Sequence, residues 1–373
     1  MRILIFCTKF GVGGIARHAL ELGSWLAGGG HQVTFAGTPG PWRGPDSDPD
    51  FVELASQDVS GGDHGAGMPS RLAALMKSVA ALRAHLKNNP VDIIHAHESA
   101  PALVARLATL GAATPVVLTF HGAEPGRMKQ YATIAKFCAD RLISVSKRGA
   151  EDLVALGMPR ERVVAIGLGV RPPPAIDPVR VAELRRELLG PDGARLVVTI
   201  ARLTPQKGIE TLIAVSKRVR ESAPGVKFVV VGDGPQEEEL LALARREGAL
   251  DGLHFAGRSE TPHLYLNAAD AFLLTSRWEA LPFTIVEAYQ AGLPAIATDC
   301  GGVRELISPE TGRVTEIGDV EAISKAVIEL IGDDALRARM SAAARKTLLQ
   351  DRFKPAVMHA RIEALYGELI SAD

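Results

Sequence analysis

At 373 residues, 47% apolar and 23% charged, the chain is too long for one ordinary core and suits two domains of roughly 180 residues each. A net charge of −1 argues against general nucleic-acid binding, which needs a basic surface, and no run of about 18 apolar residues predicts a membrane span. Three cysteines (Cys7, Cys138, Cys300), odd in number and far apart, suggest neither a disulfide framework nor a zinc site, and the cytoplasm is the natural compartment.

The opening "MRILIFCTKF" has one arginine and a short apolar run before a glycine-rich loop, so it reads as a first strand and not a signal peptide. Next comes "GVGGIA", with Gly11, Gly13 and Ala16 in the positions of a loose dinucleotide fingerprint before a helix over 14–28. That fingerprint also wants an acid at the end of strand two. The second strand runs "QVTFAG", and the next acid, Asp46, lies well beyond it, which disfavours a nicotinamide cofactor. A phosphate or sugar contact and a turn needing glycine only for geometry both stay open. Residues 37–68, rich in Gly, Pro and Asp, form the longest stretch without a structural signal.

Further strands are predicted at "DIIHAH", "PVVLTFHG", "RLISVS" and "RVVAIG", with helices over 69–88, 98–110, 128–138 and 146–156. His95 and His97, two apart on a strand, point to one face. Metal binding needs a third ligand and a neighbouring carboxylate, and Glu98 faces the other way, so no metal is expected there. His121, at the end of "TFHG", is either a turn residue or a contact reaching across a cleft.

The prolines of "LGVRPPPAIDP" (168–178) mark a stiff linker. Beyond it, strands at "RLVVTIAR", "KFVVVGDG", "LHFAG", "AFLLTS" and "PAIATD" alternate with helices. Two βαβ series predict an α/β fold of two doubly wound, Rossmann-like domains facing across a cleft, with ligands at the carboxyl ends of the strands. The candidate residues sit just there. In "ARLTPQKG" (201–208), Arg202 and Lys207 straddle a Thr-Pro turn, a planar fork and a point charge suited to a diphosphate. Gly232 in "VGDGP" either admits a nucleotide or makes a plain turn. In "RWEALPFTIVEAYQAGLPAIATD" (277–299), Glu279 lies on a loop and Glu287 about one turn into the next helix, otherwise apolar. One acid can take sugar hydroxyls and the other a ribose diol, with a diphosphate at the helix N-terminus.

These residues resemble the GT-B-fold retaining glycosyltransferases of family 4, the glycosyltransferase group 1 enzymes. The motifs are "GGIARHALELGSWLAGGGHQVT", "IIHAH", "TFHG", "ISVS", "ARLTPQKGIETLI", "VVVGDGP", "FAGR" and "EALPFTIVEAYQAGLPAIATDCGG", the last being the family's acid–seven–acid motif. The resemblance implies an acceptor-binding domain over 1–170, a linker over 171–180, a donor-binding domain over 181–354, and a C-terminal helix over about 355–373 packing back on the first domain. It implies that Arg202 and Lys207 hold the donor diphosphate, Glu279 contacts the transferred sugar and Glu287 binds the ribose. Gly13, Gly14 and Gly232 would approach phosphate and sugar, His121 would reach the donor sugar, and Arg258 would lie at the base. Leu281, Pro282, Phe283 and Thr284 complete the expected donor site.

The family's Glu-Gly-Phe-Gly opening is here Glu279-Ala280-Leu281-Pro282. Pro282 lacks an N–H, so one donor to sugar or phosphate is missing. A Leu-Pro form also occurs in related enzymes of surface-polysaccharide assembly. By resemblance the reaction is transfer of a hexosyl group from a nucleotide sugar, such as a UDP- or GDP-sugar, to a saccharide or polyprenyl-linked saccharide. Same-face attack with anomeric retention is implied, and no Asp-x-Asp signature near the site predicts a divalent metal or other cofactor. A sugar-nucleotide epimerase, a nicotinamide-dependent dehydrogenase and a sugar-binding protein without chemistry are the alternatives, the last wanting a secretion signal. Residues 1–175 carry 18 Lys/Arg against 14 Asp/Glu, a net +4, and the remainder 24 against 29, a net −5. The helices "SRLAALMKSVAALRAHLKN" and "RMKQYATIAKFCADR" therefore either touch anionic lipid at the inner face of the membrane or are ordinary solvated faces.

Overall fold

The computed structural model describes residues 1–11, 13–41, 43, 50–54, 68–191 and 194–371. It divides into two compact units, Met1–Gly169 with Pro355–Asp373, and Val170–Lys354.

The first unit runs β1 (Arg2–Lys9), α1 (Gly14–Gly28), β2 (Gln32–Thr38), β3 (Val52–Glu53), α2 (Met68–Asn88), β4 (Ile93–Ala96), α3 (Ser99–Ala108), β5 (Val116–Phe120), α4 (Met128–Cys138), β6 (Arg141–Ser144), α5 (Lys147–Ala155) and β7 (Val163–Ala165). Its strands form a parallel seven-stranded sheet in the order β3-β2-β1-β4-β5-β6-β7. The period-2 alternation of a strand explains why both faces are buried. Ile3, Ile5 and Cys7 of β1 enter one core with Leu22 and Leu26 of α1, while Leu4 and Phe6 enter the opposite core with Leu82 of α2 and Val104 of α3.

The second unit runs α6 (Pro178–Leu189), β8 (Arg195–Ile200), α7 (Ile209–Ser222), β9 (Val226–Val231), α8 (Glu237–Arg246), β10 (Leu253–Gly257), α9 (Pro262–Ala268), β11 (Ala271–Leu274), α10 (Phe283–Gln290), β12 (Ala295–Thr298), α11 (Val303–Leu306), β13 (Gly312–Thr315), α12 (Val320–Gly332) and α13 (Asp334–Thr347). Its parallel sheet has the order β10-β9-β8-β11-β12-β13. The last helix, α14 (Pro355–Ser371), belongs to the first unit. Met358, Ile362, Leu365 and Tyr366 join the core beneath α1. Glu363 accepts from His31 Nε2 at 2.8 Å and from Trp25 Nε1 at 3.3 Å, and Tyr366 Oη lies 2.5 Å from His95 Nδ1.

Two strands escape the sequence pattern. β3 has two residues within a stretch otherwise without strand signal, and β13 ("GRVT") has one aliphatic side chain, so neither shows a measurable alternation. Of the 37–68 stretch, residues 42, 44–49 and 55–67 lie outside the described residues. The linker needs a correction. Residues 171–177 carry no regular structure, but 178–180 already form the first turn of α6, because Asp177 caps it through Val179 N (2.9 Å) and Pro178 occupies the first helical position, where its missing N–H costs nothing.

Candidate active site

Each sheet reverses its strand order at one place, between β1 and β4 and between β8 and β11. A reversal leaves a crevice at the strands' carboxyl ends, where doubly wound folds bind ligands. In the second unit the loops on either side of that point are 201–208 after β8 and 275–282 after β11, the two loops that carry Arg202, Lys207 and Glu279.

The loops are tied by backbone and side chain. Arg277 N donates to Gln206 O (2.7 Å), Thr275 Oγ1 to Lys207 O (3.0 Å), and Gln206 Nε2 to Trp278 O (2.9 Å). Gly208 permits this approach. It sits at φ +58°, and a Cβ there would fall 2.3 Å from Thr275 O. At the junction Lys207 Nζ donates to Glu279 Oε1 at 2.5 Å, Ser276 Oγ donates to the same oxygen at 2.7 Å, and Gln206 Nε2 lies 3.5 Å from Oε2. The Lys207 and Glu279 side chains are 18% and 8% exposed. This is a desolvated, charge-assisted pair, and Glu279 is held by several donors. Its charge is felt nearby: burial first and Glu279 second push the Cys300 thiol up to about 12.

Arg202 is exposed, with no hydrogen bond or ion pair from its side chain among the described residues, so its fork is open to an anion. Leu281 is buried, Pro282 is the N-cap residue of α10, and Phe283, Thr284 and Glu287 are half-buried at helical spacing on one face while Ile285, Val286, Ala288 and Tyr289 are buried on the other. Gly232, at φ +141°, has a structural reason for being glycine, since a Cβ would lie 2.0 Å from Ala201 O. Arg258 follows β10 at the sheet edge, two strands from β8, and is exposed.

In the first unit, Gly13 and Gly14 are exposed at the start of α1, and a Cβ at Gly13 would meet nothing within 4 Å, so the protein's own packing does not require that glycine. His121 directly follows β5, the neighbour of β4, and meets two other imidazoles. His97 Nδ1 lies 3.2 Å from His121 Nε2 and 3.5 Å from His18 Nδ1. His95 stacks on His97 at 4.4 Å between ring centroids, but its nitrogens go to Tyr366 and to Thr119 Oγ1 (2.6 Å). The two histidines of "HAHES" therefore serve different networks. Burial holds His18 and His97 well below the usual imidazole range and pushes His95 and His121 down to about 3, with neighbouring histidines adding to it for His18, His95 and His97. Sequence reasoning missed His18. The available signal was its place one turn after Gly14, on the helix that follows strand one.

Two parallel-sheet α/β units, the second with charged loops at its reversal point, fit the GT-B class of fold. Residues 12–172 match the family model described as Glycosyltransferase Family 4, and residues 181–347 that described as Glycosyl transferases group 1. A GDP-mannose-dependent monoacylated alpha-(1-6)-phosphatidylinositol monomannoside mannosyltransferase of Corynebacterium glutamicum is 30% identical over 278 residues, covering 70% of this chain and 72% of that protein. Glycogen synthase of Mycobacterium tuberculosis is 27% identical over 388 residues, covering 94% and 91%. Among solved structures, Anabaena HepE in complex with UDP-glucose aligns with a TM-score of 0.83 at 21% identity, over 99% of this chain and 100% of that one. The chain belongs to the family 4, group 1 glycosyltransferases of GT-B fold. That membership favours sugar transfer over the epimerase and dehydrogenase alternatives.

Proposed function

We propose that this glycosyltransferase moves a hexose from a nucleoside-diphosphate sugar to a hydroxyl of a saccharide or lipid-linked saccharide, with retention at the anomeric carbon and without a divalent cofactor. The Lys207–Glu279 pair at the reversal point of the second sheet carries the reading. Arg202 and Lys207 neutralise the diphosphate as it leaves, Glu279 positions the transferred sugar, and Glu287 binds the ribose on the half-buried face of α10, with Arg258 and Gly232 near the base. Gly13, Gly14 and His121 are the sugar and phosphate contacts of the first unit. The donor class is supported by the GDP-mannose and UDP-glucose named for the mannosyltransferase and for HepE, and the lipid-linked acceptor by the phosphatidylinositol monomannoside of the former.

The state of Glu279 bears on the route by which retention would be achieved, not on retention itself. A carboxylate oxygen that accepts from both an ammonium and a hydroxyl is a poor nucleophile for double displacement, so same-face attack with help from the leaving phosphate fits better. The test is to incubate the protein with radiolabelled UDP- and GDP-sugars in EDTA and read the product's anomeric proton coupling by NMR. Product of the donor's own anomeric configuration is expected. An inverted product, or transfer only after Mg²⁺ is restored, overturns the proposal.

A peripheral contact with anionic membrane is proposed for the first unit. Leu72 (58%) and Met76 (53%) on α2 and Phe137 (57%) on α4 are exposed apolar side chains among basic residues. Among the described residues no helix is long and apolar enough to cross a membrane. Co-sedimentation with phosphatidylglycerol vesicles, lost in Phe137→Ser, is the expected result.

A further inference from the structure

The His18–His97–His121 cluster has a geometry that sugar binding by His121 leaves unexplained. One ring nitrogen from each histidine lies within 4.8 Å of the others, and the two shortest separations, 3.2 and 3.5 Å, share Nδ1 of His97. Four-coordinate zinc with Zn–N bonds of 2.0–2.1 Å places its ligand nitrogens about 3.3 Å apart. Two of the three separations thus already match ligand spacing, and the third pair lies within 4.8 Å.

Protons alone satisfy such a cluster badly. A neutral imidazole has one N–H and one lone pair. Whether His97 Nδ1 donates or accepts, it can complete a hydrogen bond with His18 or with His121, but not with both. Its other nitrogen, Nε2, is buried with no hydrogen-bond partner. His97 is fully buried and His18 is 3% exposed, so water does not relieve the mismatch at either ring, whereas half-exposed His121 leaves an approach from solvent. A cation accepting three lone pairs satisfies every close contact at once. The ligands also stand on stiff supports within one unit: the first turns of α1 and the ends of β4 and β5. Imidazole alone, without carboxylate ligands, suits zinc and its transition-metal neighbours and not magnesium or calcium.

We propose that His18, His97 and His121 bind one divalent transition-metal ion of the Zn²⁺ class, through His18 Nδ1, His97 Nδ1 and His121 Nε2, with the fourth position open. The ion is an inhibitor and not a cofactor. This consequence rests on the reading of His121 as a donor-sugar contact, because the metal takes the nitrogen the sugar would use.

Chelator-treated full-length protein titrated with Co²⁺ is expected to develop the visible d–d bands of four-coordinate cobalt, saturating at one ion per chain and collapsing when Zn²⁺ displaces it. His18→Gln and His121→Gln should each weaken binding by at least the 10–100-fold typical of losing a mere supporting partner, with unchanged far-UV circular dichroism. His254→Gln, an exposed histidine of the second unit, should bind as the parent does. Absence of the bands, or bands that persist in His121→Gln, overturns the site; His121→Gln decides alone should His18→Gln fail to fold. With the site established, Zn²⁺ should raise the apparent KM for the donor sugar at unchanged kcat. Cobalt binding with no effect of Zn²⁺ on transfer keeps the metal site and overturns the sugar role of His121.

Discussion

Lys207 has two partners in the proposed reaction, the leaving diphosphate and Glu279. Its replacement should therefore be costly beyond a lost point charge. Lys207→Ala is expected to lower kcat about 10²–10³-fold, as removal of an oriented charge stabiliser does. It should also destabilise the second unit, because it leaves Glu279, 8% exposed, without its cation. Glu279→Gln in the Lys207→Ala background should restore melting temperature but not turnover; recovery of both would mean that Lys207 acts only through Glu279. The neutral histidines, His95 buried and His121 half-buried, make a separate prediction. Burial keeps His95 and His121 down to about 3, against 6.5 for an unburied imidazole. In this pH range the unfolded chain binds more protons than the folded one, so stability is fully present above pH 6.5 and is lost as pH falls from there toward 3. For a single such group the slope is about 1.4 kcal/mol per pH unit. Melting temperature should fall between pH 7 and pH 5, and fall less steeply in His121→Gln; a flat profile would contradict buried neutral imidazoles.

At the scale of elements, the proposed donor site is a pair of strand-to-helix junctions pressed against each other. Gly208 lets them touch, and it is the position where a methyl group should matter most. Gly208→Ala combines a left-handed φ, worth about 1–2 kcal/mol for a non-glycine residue, with a contact to Thr275 O of 2.3 Å that forces the loops apart. A lower melting temperature and a large loss of kcat are expected together. Normal turnover in this variant would show that the loops need not meet. Much of this junction was legible in advance. "ARLTPQKG" and "RWEALPF" each follow a short apolar run, and a polar, Gly/Pro-bearing segment between a buried strand and an amphipathic helix can only be a loop at a strand end. Their contact was not legible, because 68–73 residues separate the bonded partners and no local pattern reports which strands are neighbours.

At the scale of the molecule, α14 completes the first unit from the far end of the chain. Met358, Ile362, Leu365 and Tyr366 fill a core that the first 169 residues leave open. A chain ending at Lys354 should therefore lose the calorimetric transition of the first unit while keeping that of the second. Two intact transitions would show the helix to be dispensable. Strand and helix positions other than those of β3 and β13, the α/β class and the strand-end placing of Arg202, Lys207, Glu279 and His121 were determined by local order along the chain: hydrophobic period, glycine and proline positions, and capping residues act over a few neighbours. The reversal points of the two sheets, the Lys207–Glu279 pair, the meeting of His18 with His97 and His121, and the return of α14 depend on the order in which strands lie side by side. That order is settled by burial of both sheet faces at once, a balance no short segment carries.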